Sequence, residues 1–296
     1  MTTLTLSMVR RALAHVRSGR SGPLSSESIE RFARQLEERL QRDGSELGAP
    51  LSMSKSIISF DNPSFLIKEG ECHPPPQSRW SPTFEAHQDA LRRAIACVGR
   101  FESPELPYDS FGTAWLVRRD VIATAAHLAD YFAEQRAAGR FRLRVDFLGQ
   151  AGDPAELECA VIEDLGRAPP DLALLRIEVD SPAVPTPIEL TDDAAGDEPV
   201  CAIGYPAENT RFYPADKIEQ MFAKIFDVKR AAPGYIRGGG DKGLVHDCST
   251  LGGNSGSLLY ELTTGKAVGM HYGAPGGMNR AIPARVIQAK LQDLGL

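Results

Sequence analysis

Three short runs in this sequence carry residues whose chemistry matters as much as their packing. Gly112-Thr-Ala-Trp-Leu-Val-Arg-Arg-Asp-Val-Ile-Ala-Thr-Ala-Ala-His127 is two apolar stretches around a turn, ending on a histidine among small residues. Asp171-Leu-Ala-Leu-Leu-Arg-Ile-Glu178 sets an aspartate at the head of an apolar strand, and Gly252-Gly-Asn-Ser-Gly-Ser257 places Ser255 inside a glycine loop. A serine hydroxyl is a weak nucleophile until an imidazole takes its proton, and that imidazole needs a carboxylate to hold it in one tautomer. The glycines let the backbone turn sharply, so that the N–H groups of Gly253 and Ser255 can converge where an oxyanion develops. These are the parts of an acyl-transfer site. Taken singly, each residue has a plain structural use: a histidine satisfying backbone groups, an aspartate opening a turn, a Gly-Asn-Ser-Gly bend. Their order along the chain, His127 then Asp171 then Ser255, joins them into one hypothesis.

Such groups need rigid elements to hold them. Beyond residue 90 the chain runs in short apolar segments broken by Gly, Pro and Asp: Ala94–Phe101, Gly112–Arg118, Val121–Ala125, Phe141–Leu148, Cys159–Glu163, Leu172–Glu178, Val200–Gly204, Gly234–Ile236, Ser257–Tyr260, Ala267–Tyr272 and Arg280–Ile282. Many short strands with turn signals between them predict an all-β barrel or sandwich. Two stripes read as helical: Ile218, Met221, Phe222 and Ile225, and then Val286, Ile287, Lys290 and Leu291 after Pro283.

Residues 1–43 differ in texture. Leu6, Val9, Leu13 and Val16 form one helical stripe and Ile29, Phe32, Leu36 and Leu40 a second, with Gly22-Pro23 between them. This predicts a helical hairpin of regulatory or docking character. Residues 44–88 read as a linker or extended segment, marked by Pro63 and the Pro74-Pro75-Pro76 run. Ile57, Ile58, Phe60, Phe65, Leu66 and Ile67 make it too apolar for a free tether. Residues 89–296 form the domain that carries the chemistry.

Composition narrows the class. The chain has 296 residues, 42% hydrophobic and 24% charged, with a net charge of −6. That is ordinary globular usage, and it offers no basic field for nucleic acid or an anionic membrane. No apolar run is long enough to cross a bilayer, and Arg10, Arg11 and His15 interrupt any secretory core. Cys72, Cys97, Cys159, Cys201 and Cys248 are odd in number and scattered, without a Cys-x-x-Cys pair. They fit reduced thiols of a cytoplasmic protein rather than a disulfide framework or a zinc site. No metal or cofactor is expected.

The three motifs together resemble the trypsin/chymotrypsin-fold serine peptidases: Thr124-Ala-Ala-His127, Asp171-Leu-Ala-Leu-Leu and Gly253-Asn-Ser-Gly-Ser257 look like that family's histidine, aspartate and nucleophile motifs. The resemblance covers roughly residues 90–290. It implies a mainly β protein of two antiparallel six-stranded barrels with a C-terminal helix, here preceded by an α-helical extension. Two positions depart from trypsin itself. Asn254 stands where trypsin-type enzymes carry the aspartate that receives a freed N-terminus, so that switch is unavailable. Ser249 stands at the acidic pocket base, so a preference for Arg or Lys is not expected. Asp247 through Ser257, Gly269-Met-His-Tyr-Gly273 and Asn279-Arg-Ala-Ile282 are similar to the bacterial glutamyl endopeptidases. That likeness implies that Ser249, Thr250, His271, Tyr272 and Gly273 contact the substrate, with Thr250 and His271 facing an acidic side chain. Cys248 is expected to fill the pocket wall, and His87 and His246 to be structural.

The expectation is a serine endopeptidase acting on protein or peptide substrates through an acyl-enzyme, without metal or cofactor. Ser255 attacks, His127 is general base and then acid, Asp171 orients His127, and Gly253 and Ser255 hold the oxyanion. A cut after Glu or Asp is expected, and residues 1–87 are expected to regulate or to bind a protein partner. The alternative is a catalytically silent barrel used for binding or as a scaffold.

Overall fold

A computed structural model describes residues 61–103, 112–137, 142–150, 156–191, 196–207, 215–240, 243–274 and 278–296. The expected helical hairpin of residues 1–43, the apolar Ile57, Ile58 and Phe60, and Phe141 lie outside the described residues.

Strands β3 (Val98–Glu102), β4 (Gly112–Arg118), β5 (Val121–Ala125), β6 (Arg144–Asp146), β7 (Glu158–Ala168) and β8 (Leu172–Ile177) close into one antiparallel barrel in the order β3-β4-β5-β8-β7-β6. A second barrel runs β11-β14-β13-β12-β9-β10, from β9 (Pro199–Gly204), β10 (Arg230–Gly238), β11 (Leu244–His246), β12 (Leu258–Glu261), β13 (Ala267–Gly273) and β14 (Asn279–Pro283). It closes where β10 pairs with β11. The apolar runs become strands because both faces of most of them are covered: every residue of β5 and all but the last of β4 are buried. Two six-stranded barrels, mainly β, are the expected architecture.

Five helices are present among the described residues: α1 (Ser81–Ala86), α2 (Gln88–Cys97), α3 (Ala126–Ala137), α4 (Ala215–Phe222) and α5 (Ala284–Asp293). Helix α4 bears Ile218, Met221 and Phe222 of the expected stripe but ends before Ile225. The C-terminal α5 starts after Pro283 at its N-cap and buries Ala284, Ile287 and Leu291. One expected strand is corrected. Residues 94–97 are not strand but the end of α2, because Leu91, Ala94 and Ile95 share a helical face while Arg92 and Arg93 point to water.

Residues 61–87 wrap the second barrel as a strap. Strand β1 (Phe65–Lys68) pairs with β10 through Phe65↔Ala231 and Leu66↔Arg230, and β2 (Glu71–Cys72) folds back on β1. Phe65, Ile67, Cys72, Trp80 and Phe84 are all buried in the main core. The proline run is held rather than loose, since Ser81 Oγ donates to the Pro75 carbonyl at 2.7 Å. Buried Arg230 anchors the start of the strap, donating to Ser64 Oγ at 3.1 Å and to the Ser64 carbonyl.

Lys229, wholly buried beside that anchor, links the barrels. Its Nζ donates to Ile95 O at 3.0 Å and to Phe147 O at 2.8 Å. Burial pulls its pKa down to about 8.

Candidate active site

The register of β5 on β8 brings the first two groups together. Ala125 lies opposite Leu172, so His127, just past the end of β5, meets Asp171, just before the start of β8. The backbone is locked there by Ala126 N donating to Asp171 O at 2.8 Å. Asp171 then grips the histidine twice, with Oδ1 accepting from His127 N at 2.9 Å and Oδ2 lying 2.5 Å from His127 Nδ1. An ionised carboxylate only accepts, so Nδ1 carries the ring proton and Nε2 is left as the base. Both side chains remain partly accessible, at 29% and 17%, although the strands leading to them are buried.

Ser255 sits in a turn fixed on every side. Asn254 N donates to Leu251 O at 3.2 Å, Ser257 N to Asn254 O at 2.9 Å, and Gly256 N to His271 O at 2.8 Å. Gly253 has φ +88°, and a Cβ there would stand 2.3 Å from Tyr205 O and 2.8 Å from Ala207 N, so glycine is required on both counts. Thr113 of the first barrel ties the loop across the cleft: its Oγ1 donates to Gly253 O at 3.0 Å and its N–H to Ser255 O at 2.9 Å. The carbonyls of Gly253 and Ser255 are thereby taken. Among the described residues neither of their backbone N–H groups meets an acceptor. Ser255 itself is partly exposed between buried Asn254 and Gly256.

The residues expected to bind substrate line one side of the second barrel. Ser249 and Thr250 are buried in the run between β11 and the serine loop, and His271, Tyr272 and Gly273 end β13. The β12–β13 ladder reaches Leu258↔Met270, while β14 continues to Gly273 across a bulge at Tyr272. Thr250 Oγ1 donates to Asn279 Oδ1 at 2.8 Å. That direction is fixed because Asn279 Nδ2 is already donating to Cys248 O at 2.6 Å.

Three residues of this region were not assigned roles from sequence. Thr113 touches a loop 140 positions away, and Asn279 closes on Thr250 and Cys248. His246, read as merely structural, has its Nε2 3.0 Å from His271 Nδ1, with the rings edge to face. Burial pulls the His246 pKa down to about 4. Burial, and then the neighbouring imidazoles of His246 and His127, hold His271 well below the usual histidine range. The pair is neutral at pH 7. Histidines at two strand ends, one beside the serine motif, were the available signal. Cys248 is buried against the same wall, where burial raises its thiol pKa and keeps it unreactive.

A family model described as the trypsin-like peptidase domain matches residues 112–270, the stretch that holds His127, Asp171 and Ser255. The chain belongs to the trypsin-like peptidases. It is a serine endopeptidase, a hydrolase whose substrates are proteins. A probable serine protease of Lysobacter enzymogenes is 29% identical over 290 residues, covering 81% of this chain and 75% of that protein. A crystal structure of Deg5 aligns with a TM-score of 0.49 at 19% identity, covering 68% of this trypsin-like chain and 90% of the other.

Proposed function

We propose that this peptidase cleaves peptide bonds with Ser255 as nucleophile, His127 as general base and then acid, and Asp171 as the group that orients His127. The observation that carries this reading is the double grip of Asp171 on His127 N and Nδ1, together with the hold of Thr113, from the same barrel, on the serine loop. As Ser255 Oγ bonds to the substrate carbonyl carbon, its proton passes to His127 Nε2. The C–N bond then breaks, and the amine leaves with that proton. Water repeats the sequence on the acyl-enzyme and regenerates Ser255. The N–H groups of Gly253 and Ser255 hold the oxyanion, where loss of one donor costs other hydrolases about 2.7–4 kcal/mol. The end of β13, at Tyr272 and Gly273, receives the substrate backbone as an added strand. Labelling by a fluorophosphonate probe that is lost in Ser255→Ala tests the assignment. An unlabelled parent chain would instead favour the silent binding barrel.

For specificity we propose a glutamyl-endopeptidase-like pocket that takes Glu, and Asp less well, before the scissile bond. His271 is its main donor. Among the described residues His246 Nδ1 is buried without a partner, and an orphaned acceptor costs less than an orphaned N–H. That favours a proton on His246 Nε2, donated to His271 Nδ1, which leaves His271 with N–H at Nε2 to meet a carboxylate. Thr250 spends its proton on Asn279, so it reaches a substrate only by releasing that bond. Ser249 brings no charge to the pocket, which disfavours a basic side chain.

Setting and regulation complete the reading. All five cysteines are free and buried, which supports a reducing, cytoplasmic compartment. No helix among the described residues is long and apolar enough to cross a membrane. Of residues 1–87, expected to regulate, 61–87 are built into the fold as the strap, so the part proposed to restrain the cleft or to recruit a protein partner narrows to residues 1–60, which carry the amphipathic stripes.

A further inference from the structure

Asn62 is 1% exposed and bonded at both ends of its amide: Nδ2 donates to the Asp247 carbonyl at 3.1 Å, and Oδ1 accepts from Arg79 Nη2 at 2.6 Å. Asn279 treats the next residue in the same way, donating to the Cys248 carbonyl at 2.6 Å and accepting from Thr250 Oγ1 at 2.8 Å. Two consecutive carbonyls are therefore each pinned by a buried asparagine whose other end is itself held. Because each peptide unit is planar, fixing both oxygens fixes the orientation in which the chain continues into Ser249 and Thr250. Asn279 belongs to the second barrel. Asn62 belongs to the strap, 185 residues away in sequence from its partner.

The clasp is stiff on the strap side. The Arg79 guanidinium lies 5.1 Å from the Trp80 ring centroid and 5.7 Å from that of Tyr235, and Arg237 lies 4.8 Å from the Tyr235 ring. Arg237 Nε donates to Asp247 Oδ2 at 2.6 Å, and Tyr235 N donates to Asp247 Oδ1 at 2.7 Å. Those bonds hold the Asp247 side chain. Its carbonyl, which aims the following peptide, is held by Asn62.

We propose that Asn62 is a positioning residue for substrate selection, acting through the Asp247 carbonyl on the Ser249–Thr250 wall. This rests on the reading of Ser249, Thr250 and His271 as the specificity pocket. The strap thus shapes a pocket whose walls lie wholly in the second barrel. Asn62→Asp is the decisive variant in the full chain. It is isosteric and strengthens the bond from Arg79, but it turns an acceptor toward the Asp247 carbonyl. Hydrogen exchange of the 248–251 amides, measured with Ser255→Ala in both chains, should accelerate about tenfold while that of β5 stays unchanged. With Ser255 intact, kcat/KM should fall about tenfold for peptides with Glu before the scissile bond, mainly through KM. Matched Ala peptides and fluorophosphonate labelling should move by less than about threefold. If Asn62→Asp does not fold, Arg79→Gln carries the test, since it frees the far end of Asn62 and should shift both readouts in the same direction by about threefold. Unchanged exchange at 248–251, or equal losses for Glu and Ala peptides, overturns the proposal. A parent chain indifferent to the residue before the scissile bond overturns the pocket reading instead, and the exchange result still decides whether Asn62 positions the segment.

Discussion

At the scale of single residues, the site works by committing each proton to one place. Asp171 Oδ2 accepts from His127 Nδ1–H, which leaves Nε2 as the base. Ser255→Ala should abolish hydrolysis without unfolding the chain, since only the hydroxyl of the proposed nucleophile is lost. His127→Ala should be nearly as severe and the double variant little worse, because members of a catalytic unit are not additive; single-turnover rates on one peptide check this. Gly253→Ala should cost activity through the loop rather than the triad, because its Cβ would sit 2.3 Å from Tyr205 O at φ +88°. The buried histidine pair adds a pH signature. His246 has its folded pKa lowered to about 4, so below its ordinary 6.5 the unfolded chain takes up a proton that the folded chain refuses. Stability is then lost as pH falls from 6.5 toward 4, by about 3 kcal/mol for this one group. His271, also lowered, acts in the same direction. Urea titrations of Ser255→Ala should show that loss, and His246→Phe should flatten it. The residues proposed to react were legible as candidates in sequence because each sits in a short local motif. Thr113, Asn279, His246 and Asn62 were not, because each is defined by a bond to a distant residue: 140 positions for Thr113 to Gly253 and 185 for Asn62 to Asp247.

At the scale of elements, strands announced themselves where both faces are buried and hid where they are short. Strand β5 reads as continuous apolar sequence, whereas three-residue β11 and two-residue β2 have too little sequence to show a period. The last turn of α2, residues 94–97, reads as strand because its apolar face runs directly into β3, and the helical spacing of Leu91, Ala94 and Ile95 is the cue that separates them. The strap has a practical consequence for any dissection of the N-terminal region. A chain beginning at Asp61 should fold and keep its peptidase activity, so its difference from full length reports on residues 1–60 alone. A chain beginning at Gln88 loses buried Phe65, Ile67, Cys72, Trp80 and Phe84. At about 1.5–3 kcal/mol for each large side chain, that loss rivals the whole stability of a domain, and circular dichroism should find it unfolded or aggregated.

At the scale of the whole molecule, two barrels must hold a fixed relation if His127 and Asp171 of one are to act with Ser255 of the other, as proposed. Thr113 ties them at the cleft and Lys229 behind it. Lys229→Met leaves the Phe147 carbonyl without its donor and the Ile95 carbonyl with only the Val98 N–H, and should destabilise the fold by about 1–3 kcal/mol in chemical denaturation. The gap should widen as pH rises from 8 toward 10.5. In that window the unfolded ammonium keeps a proton that the folded one has released, which favours the folded parent. Buried thiols act oppositely. Cys72 and Cys97, raised to about 12, stay protonated when unfolded thiols ionise above 9, so parent and variant alike lose stability there. The strap also sets the timing of assembly during synthesis. Ser64 leaves the ribosome 166 residues before Arg230, the anchor it must find. At about 5–20 residues per second, Phe65 and Leu66 spend roughly ten to thirty seconds without their partners on β10. The first barrel can close in that interval. On the proposed reading, the Ser249–Thr250 wall is set only when the strap docks, so the nascent chain would join His127 to Asp171 before it acquires its discrimination.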